Sequence, residues 1–301
     1  MTKRILNKIK KNLKISYVIL FMILLAYTIV LLTPLFWSIL TSLRSAGDWG
    51  WVITEPDASN VFWPKSFNFS NYKEAYNSLE INRTRGGQEY GFLLPDMFLN
   101  SILYAGGCGL VATITPCLAA YLCARYRYKF GNIVYTVVLV TMAIPIIGNL
   151  PSEIQMVKNI GLYDNLFGLY ILKANFLGMY FLIFYAQFKM IPQDYTSAAE
   201  IDGASEFRIM VQVIWPLAIS TITTVFLLNF INFWNDYQIP MIYWDSRPVA
   251  AFGIFEYYRT SVASTPVRLS AFFMVAAPIL LVFAIFNKKI MSNMSVGGIK
   301  G

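Results

Sequence analysis

Ile191-Pro192-Gln193-Asp194-Tyr195-Thr196-Ser197-Ala198-Ala199-Glu200-Ile201-Asp202-Gly203-Ala204-Ser205-Glu206-Phe207-Arg208-Ile209-Met210-Val211-Gln212-Val213-Ile214-Trp215-Pro216 connects two apolar runs, 166–188 and 217–237. Pro192 suits the first turn of a helix, and Asp194 complements that helix's dipole. Gly203 reads as a helix stop, because glycine accepts the left-handed conformation. Asp202 or Ser205 can cap the next helix. From Phe207, the apolar residues Met210, Val211 and Ile214 recur at helical spacing, and Pro216 opens the next apolar run. The segment therefore predicts two short helices joined at Asp202-Gly203, a compact elbow. Ala198, Ala199 and Ala204 keep its tip low, so another protein can approach closely. On spacing alone, an amphipathic hairpin in a membrane interface fits as well.

The flanking runs are two of six. The chain of 301 residues is 57% hydrophobic, 16% aromatic and 13% charged, with mean hydropathy +0.53. A soluble domain is about 45–50% apolar and roughly 25% charged. The apolar excess must face lipid, which predicts an all-α, polytopic membrane protein. A span needs about 20 mostly apolar residues. The candidates are 16–40, 97–123, 132–150, 166–188, 217–237 and 269–287. Lys3 to Lys14 precede the first run, as in a signal peptide. No small-residue cleavage site comes after it; Trp37 and Thr41-Ser42 stand there instead, so it is expected to be a retained span.

Charge sets the expected orientation. With the N-terminus inside, the inner segments 1–15, 124–131, 189–216 and 288–301 hold 6, 3, 2 and 3 basic residues, 14 of the 24. That bias predicts N-in and C-in, and puts the elbow in the cytoplasm. It also accounts for the net charge of +8 without nucleic acid. The expected organisation is a basic cytoplasmic N-terminus (1–15), a first span (16–40), an outer loop (41–96), a membrane core (97–287) that includes the inner loop 189–216, and a cytoplasmic tail (288–301). The outer loop carries Trp49, Trp51 and Trp63, with Asp48, Glu55, Asp57, Glu74, Glu80, Glu89 and Asp96, enough polar sequence for a small ordered cap.

Several chemistries are excluded. The chain has no histidine, which removes Ser-His-Asp and Cys-His catalysis and His-ligated metal sites. Cys108, Cys117 and Cys123 lie in one apolar stretch and read as small buried residues. No Gly-Lys dipeptide occurs, so there is no P-loop. Gly106-Gly107-Cys108-Gly109 sits in mid-span, where glycines serve close helix packing. No acidic residue lies deep in a predicted span, which argues against a proton-driven carrier. The chain is expected to be no enzyme and to hold no cofactor or metal; uphill transport would need energy from another subunit.

The elbow resembles the EAA loop of permease subunits of binding-protein-dependent ABC importers. Ser197-Ala198-Ala199, Asp202-Gly203-Ala204 and Val213-Ile214-Trp215-Pro216 stand in that motif's register. Further stretches are similar to the carbohydrate-uptake branch, in particular its maltose-permease-G-like subunit. They are Phe67-Asn68-Phe69-Ser70-Asn71-Tyr72, Asn100-Ser101, Ala119-Ala120-Tyr121, Ala124-Arg125-Tyr126-Arg127-Tyr128, Trp234-Asn235-Asp236-Tyr237 with Pro240, and the tail Gly298-Ile299-Lys300-Gly301. The resemblance covers residues 10 to 301. It implies a type I ABC importer permease of six spans in the inner membrane. It also implies a similar partner permease, a cytoplasmic ATPase dimer that binds ATP and Mg, and an extracytoplasmic solute-binding protein.

The same resemblance assigns ATPase coupling to Ala198, Ala199, Asp202, Gly203 and Ala204. The motif's leading glutamate is replaced by Ser197, and Glu200, three residues on and on the same helical face, can substitute a carboxylate. Lys300 in the tail is a second candidate ATPase contact; a basic tail near anionic lipid is the alternative. Asn229, Asn232 and Asp236, at i, i+3 and i+7, form one polar stripe in an apolar run. They suit sugar hydroxyls, with Trp234 or Tyr237 offering a ring face. Interhelical hydrogen bonding with a partner permease explains them equally. Lys173, in the run 166–188, is expected to snorkel outward. The resulting expectation is a permease for a carbohydrate, an oligosaccharide foremost. A permease for glycerol phosphate and a non-transporting membrane scaffold are the rivals.

Overall fold

The computed structural model describes residues 2–55, 57–85, 87–126, 129–145 and 148–294. They form two units, one of Met1–Ser78 with Ser261–Met274, the other of Leu79–Thr260 with Val275–Gly301.

The first unit begins with α1, Thr2–Ser42. Its apolar part, Ser16–Ser42, is long enough to cross a bilayer, and its side chains from Tyr17 to Phe36 are exposed along the whole length, as a lipid-facing helix requires. Three short helices come next: α2 (Ala46–Thr54), α3 (Ala58–Phe62) and α4 (Ser70–Ser78). The small ordered cap expected from the polar loop is present. Its centre is Arg44, fully buried, whose Nη1 and Nη2 donate to the carbonyls of Asn60 and Val61 at 2.6 and 2.9 Å. Asp48 stands 3.8 Å away. Asn71 donates to the carbonyls of Ser42 and Arg44, and the Asn68 amide donates to Leu43. The Asn68–Tyr72 stretch thus knots the end of α1 to the cap.

The second unit opens with an antiparallel hairpin, β1 (Glu80–Arg85) and β2 (Gln88–Leu93), with Ile81 opposite Phe92. This corrects the all-α expectation in one place. Apolar and polar residues alternate at period two through Glu80-Ile81-Asn82, and Ile81 alone of the three is buried. The rest of the unit is helical: α5 (Leu94–Arg125), α6 (Lys129–Ala143), α7 (Leu150–Asn159), α8 (Leu166–Lys173), α9 (Met179–Met190), α10 (Asp194–Ile201) and α11 (Glu206–Arg208). A π-helical stretch, Ile209–Ile214, leads into α12 (Trp215–Asn235). Then come α13 (Gln238–Tyr243) and α14 (Ala250–Thr260). The last helix, α15 (Thr265–Met294), runs from the first unit into the second.

Among the described residues, four helices are long and apolar enough to cross a membrane: Ser16–Ser42, Leu94–Arg125, Glu206–Asn235 and Thr265–Asn287. The other two expected spans differ in detail. The third stops at Ala143 rather than 150, because Ile144 precedes Pro145 and a residue before proline leaves the helical region. The fourth is two helices, α8 and α9. Between them the Asn175 side chain accepts the Leu177 amide at 2.8 Å, a local turn that competes with the helix.

The long helix α5 is the axis of the second unit, packed most extensively against α12 and α9. Gly109 lets α12 approach closely: a Cβ there would stand 3.4 Å from the Phe230 amide nitrogen. This is the close packing expected of the glycine run. The core cluster at one end of α5 joins Tyr121 and Ala124 to Phe184 and Phe188 of α9 and to Ile209, Met210 and Ile214. Cys108 and Cys117 are buried; Cys123 is half-buried.

Candidate functional site

The elbow forms as two helical arms around a glycine turn. Gly203 takes φ +78°, in the left-handed region. Its amide donates to Glu200 O at 3.0 Å, and the Ala204 amide donates to Ala199 O at 2.9 Å. These paired bonds close the end of α10 with glycine in the position that this helix stop requires. Ser205 takes the cap position of α11 with extended backbone, while Asp202 ends α10. Ser197, Ala198, Glu200, Asp202 and Gly203 are exposed, and Ala199 and Ala204 are half-buried on the core cluster. Ser197 and Glu200 are both exposed on α10, as their spacing implies.

Sequence spacing did not single out two neighbours of the turn. Ile201 is 87% exposed and Phe207 70% exposed, one on each side of Gly203. Large apolar side chains on both sides of a turn suit contact with another protein or with a membrane surface. Their signal was available: an isoleucine and a phenylalanine flanking a predicted polar turn.

The base of the elbow is tied to the end of α5. Arg125, 8% exposed, donates from Nη1 to Ile191 O at 2.8 Å and from Nη2 to Pro192 O at 3.4 Å. Nη2 also donates to the Thr196 hydroxyl. Ile191 closes α9, so the guanidinium sits where that helix's carbonyls concentrate negative charge. Tyr126 donates to Glu206 Oε2 at 2.5 Å. Burial, and then this bond to the carboxylate, push the Tyr126 hydroxyl above the ordinary tyrosine range, so it stays a donor. Beyond the elbow the chain widens into the π turn Ile209–Ile214. Pro216 lacks an amide hydrogen and crowds the carbonyl four residues back, and this local cause unwinds the helix start.

The polar stripe of α12 does not act as one surface. Asn229 is buried and donates to Thr113 Oγ1 of α5 at 3.0 Å. Asn232 is exposed. Asp236 accepts the Tyr104 hydroxyl at 2.9 Å with one oxygen and the amides of Gln238 and Ile239 with the other, so it caps α13. Trp234 is 5% exposed, stacked between Phe98 and Phe230. Tyr237 stacks on Phe255.

Asn229 does line a cavity of about 370 Å³. Glu153, Lys173, Asn175, Tyr180 and Phe233 share its wall, together with Ala112 and Pro116 of α5. Lys173 ends α8 and lies over the Phe233 ring at 6.0 Å, so it faces this cavity rather than reaching outward as expected. Glu153 Oε1 accepts the Tyr243 hydroxyl at 2.9 Å, and Oε2 accepts the Asn149 amide at 3.2 Å. Rings beside paired donors and acceptors suit a polyhydroxylated ligand. Lys300 lies outside the described residues.

Residues 116–290 match the family of binding-protein-dependent transport system inner membrane components. The chain is similar to the diacetylchitobiose uptake system permease protein NgcG of Streptomyces coelicolor, 24% identical over 285 residues, covering 91% of this chain and 86% of the relative. It is 22% identical to the melibiose/raffinose/stachyose import permease protein MelC of Bacillus subtilis, over 89% of this chain and 91% of MelC. It is 24% identical to the arabinooligosaccharides transport system permease protein AraQ of Bacillus subtilis, over 96% of both. Among solved structures, a chain of a bacterial ABC transporter involved in import of the acidic polysaccharide alginate superposes with TM-score 0.70 at 21% identity. The match covers 91% of this chain and 96% of that one.

Proposed function

The chain belongs to the family of binding-protein-dependent transport system inner membrane components, and on that premise we propose that it carries an oligosaccharide inward as a permease subunit of an ATP-driven importer. It is a multi-pass, non-catalytic subunit of the bacterial inner membrane, and a separate ATPase hydrolyses ATP. The oligosaccharide rests on NgcG, MelC and AraQ, whose names give diacetylchitobiose, melibiose/raffinose/stachyose and arabinooligosaccharides. The observation that carries the transport reading is the elbow itself: a glycine-locked, solvent-facing turn inside the matched segment.

The topology we propose has six crossings, N-in and C-in. The four long helices supply four, α6 the third and the broken pair α8–α9 the fourth. The buried rings of Phe181, Phe184 and Phe188 support an integral place for α9. The domain division proposed is the one read from the sequence, with 189–216 as the coupling loop and 288–301 as a cytoplasmic tail. The partners are a second permease, a cytoplasmic ATPase dimer that alone binds ATP and Mg, and an extracytoplasmic solute-binding protein.

In this mechanism the elbow docks on the ATPase through Ser197, Ala198, Ala199, Glu200, Asp202, Gly203 and Ala204, with Ile201 and Phe207 as its apolar contacts. Lys300 supplies a tail contact. ATP closes the ATPase dimer, the elbows move, and the path opens to the binding protein; hydrolysis resets it. The solute path runs along the cavity of Glu153, Lys173 and Asn229; Asn232 is exposed, and Trp234 and Asp236 hold the end of α12 against Phe98 and Tyr104 of α5. The test is uptake into vesicles that hold this chain, its partner permease, the ATPase and the binding protein. ATP-dependent uptake of a labelled oligosaccharide is expected. Uptake of glycerol phosphate and of no saccharide overturns the substrate class, and no solute uptake at all points to the scaffold.

A further inference from the structure

The two contacts at the end of α5 lie on opposite sides of the elbow's turn. Arg125 holds Ile191, Pro192 and Thr196, which precede Gly203; Tyr126 holds Glu206, which lies beyond it. The tip between them is exposed except for Ala199 and Ala204. Both arms are therefore fastened to consecutive residues of one helix end. Among the described residues no carboxylate lies within ion-pair distance of Arg125. Its charge is met by carbonyl dipoles and a hydroxyl, and its Nε is buried with no hydrogen-bond partner among the described residues. A buried guanidinium with no acid is a poor stabilising device. An arginine still offers what a packed apolar side chain does not: several donors in one rigid plane, able to hold two stretches of backbone in fixed relation.

The same helix leads to the cavity. Pro116 and Ala112 of α5 line it, and Pro116 lies nine residues before Arg125, about 14 Å along the axis. Resting on the transporter reading above, we propose that Arg125 and Tyr126 form a two-point strap through which the elbow moves α5. Closure of the ATPase then reaches the cavity wall through α5 as well as through α12. Of the two helices that the elbow joins, α12 starts in a π turn, a compliant link, and α9 is parted from α10 by the non-helical residues 191–193. The strap provides a further route, fixed at two points, to the helix at the centre of the unit. Arg125 and Tyr126 are positioning residues: they touch no solute and no nucleotide.

The experiment uses the full complex in vesicles, with Arg125→Gln, Arg125→Lys, Tyr126→Phe, Glu206→Gln and the Tyr126→Phe/Glu206→Gln pair. Four quantities are read: yield of complex on a tagged ATPase, basal ATP hydrolysis, hydrolysis stimulated by loaded binding protein, and solute taken up per ATP. Arg125→Gln is expected to leave basal hydrolysis within about twofold and to lower uptake per ATP by about tenfold, the size of a typical coupling between sites. Arg125→Lys recovers part of it. Tyr126→Phe lowers uptake per ATP about threefold, and adding Glu206→Gln lowers it no further, since the phenylalanine has already removed the bond that Glu206 accepts. If Arg125→Gln does not assemble, the Tyr126 arm decides, because Tyr126 and Glu206 are not in the buried core. Wild-type uptake per ATP in Tyr126→Phe, or additive losses in the pair, overturns the strap. A wild-type complex that shows no stimulated uptake overturns the transporter reading instead.

Discussion

Two arginines in this chain are buried to nearly the same degree and are held in different ways. Arg44, in the first unit, lies beside Asp48 and donates to the carbonyls of Asn60 and Val61. These side-chain partners lie in α2 and α3, and Asn71 of α4 donates to its carbonyl. Arg125, at the end of α5, has no acid beside it among the described residues and joins the terminus of α9 to the first arm of the elbow. A buried charge with its counter-charge is scaffolding: both partners lose if either goes. A buried charge that meets only carbonyls and a hydroxyl across two segments sets their relative position. Burial alone does not separate these roles; the partners do.

Arg44→Ala should give the largest loss of stability. It leaves the Asp48 carboxylate, 3% exposed, without its cation and two carbonyls without donors, a cost of about 3 kcal/mol. The check is thermal inactivation of the detergent-solubilised complex, which should begin at lower temperature while uptake per ATP in the surviving complex is unchanged. A fall in uptake per ATP at unchanged stability would make the two arginines alike and dissolve the contrast.

Gly203→Pro attacks the elbow without touching burial. Proline cannot take φ +78° and removes the amide that donates to Glu200 O, so this exposed turn opens locally while the buried core stays packed. Stimulated ATP hydrolysis should vanish, with thermal stability far less affected than in Arg44→Ala. Gly203→Ala keeps the amide and costs about 1 kcal/mol of backbone strain, so stimulation should fall only partway. Equal effects of alanine and proline would show that the conformation of the turn is not what matters.

The two sites also differ in how far the sequence announces them. The Gly203 turn was legible because its cause is local: one residue needs a left-handed backbone, and only certain residues take it. The end of the third span was equally local, and Pro145 announces it; the hydropathy run simply outlasted the helix. The break between α8 and α9 was hidden, because apolar residues fill both arms and hydropathy carries no direction. The ties of Arg125 to Ile191 and Thr196 join positions 66 and 71 residues apart, and no spacing within the chain foretells them. The stripe of Asn229, Asn232 and Asp236 was periodic in sequence but not shared in function, since Asn229 is satisfied by α5 and Asp236 by Tyr104 and α13. Period reveals a face; it does not reveal what meets that face.

Asn229 separates packing from solute contact. Its bond to Thr113 is worth about 0.6–1.7 kcal/mol, the range for interhelical bonds in membranes. Asn229→Ala and Thr113→Val should lower stability to a similar degree, and the double variant should lose little more than either. If Asn229 also contacts solute in the cavity, Asn229→Ala alone raises the half-saturating solute concentration for uptake. Identical uptake curves for the two single variants would reduce Asn229 to a packing residue and move the path to Lys173 and Glu153.

The smallest expected effect tests the elbow's outer face. Ser197 stands where the coupling motif has glutamate, and Glu200 is exposed three residues on, one turn along α10. An exposed carboxylate contributes little to the fold, so Glu200→Ala should leave stability within about 0.5 kcal/mol. If Glu200 supplies the carboxylate that Ser197 does not, its loss removes a partly desolvated charge contact with the ATPase. That is worth about 1 kcal/mol, a fall of roughly fivefold in stimulated hydrolysis. Ser197→Glu in the Glu200→Ala background places a carboxylate in the motif's own position and should recover the loss. Unchanged stimulation and unchanged complex yield in Glu200→Ala would mean that the elbow works through shape and its apolar neighbours Ile201 and Phe207, with no charge at its tip. The contrast with the knot around Arg44 would then be sharper still: charge holds that knot together, whereas only shape drives the lever.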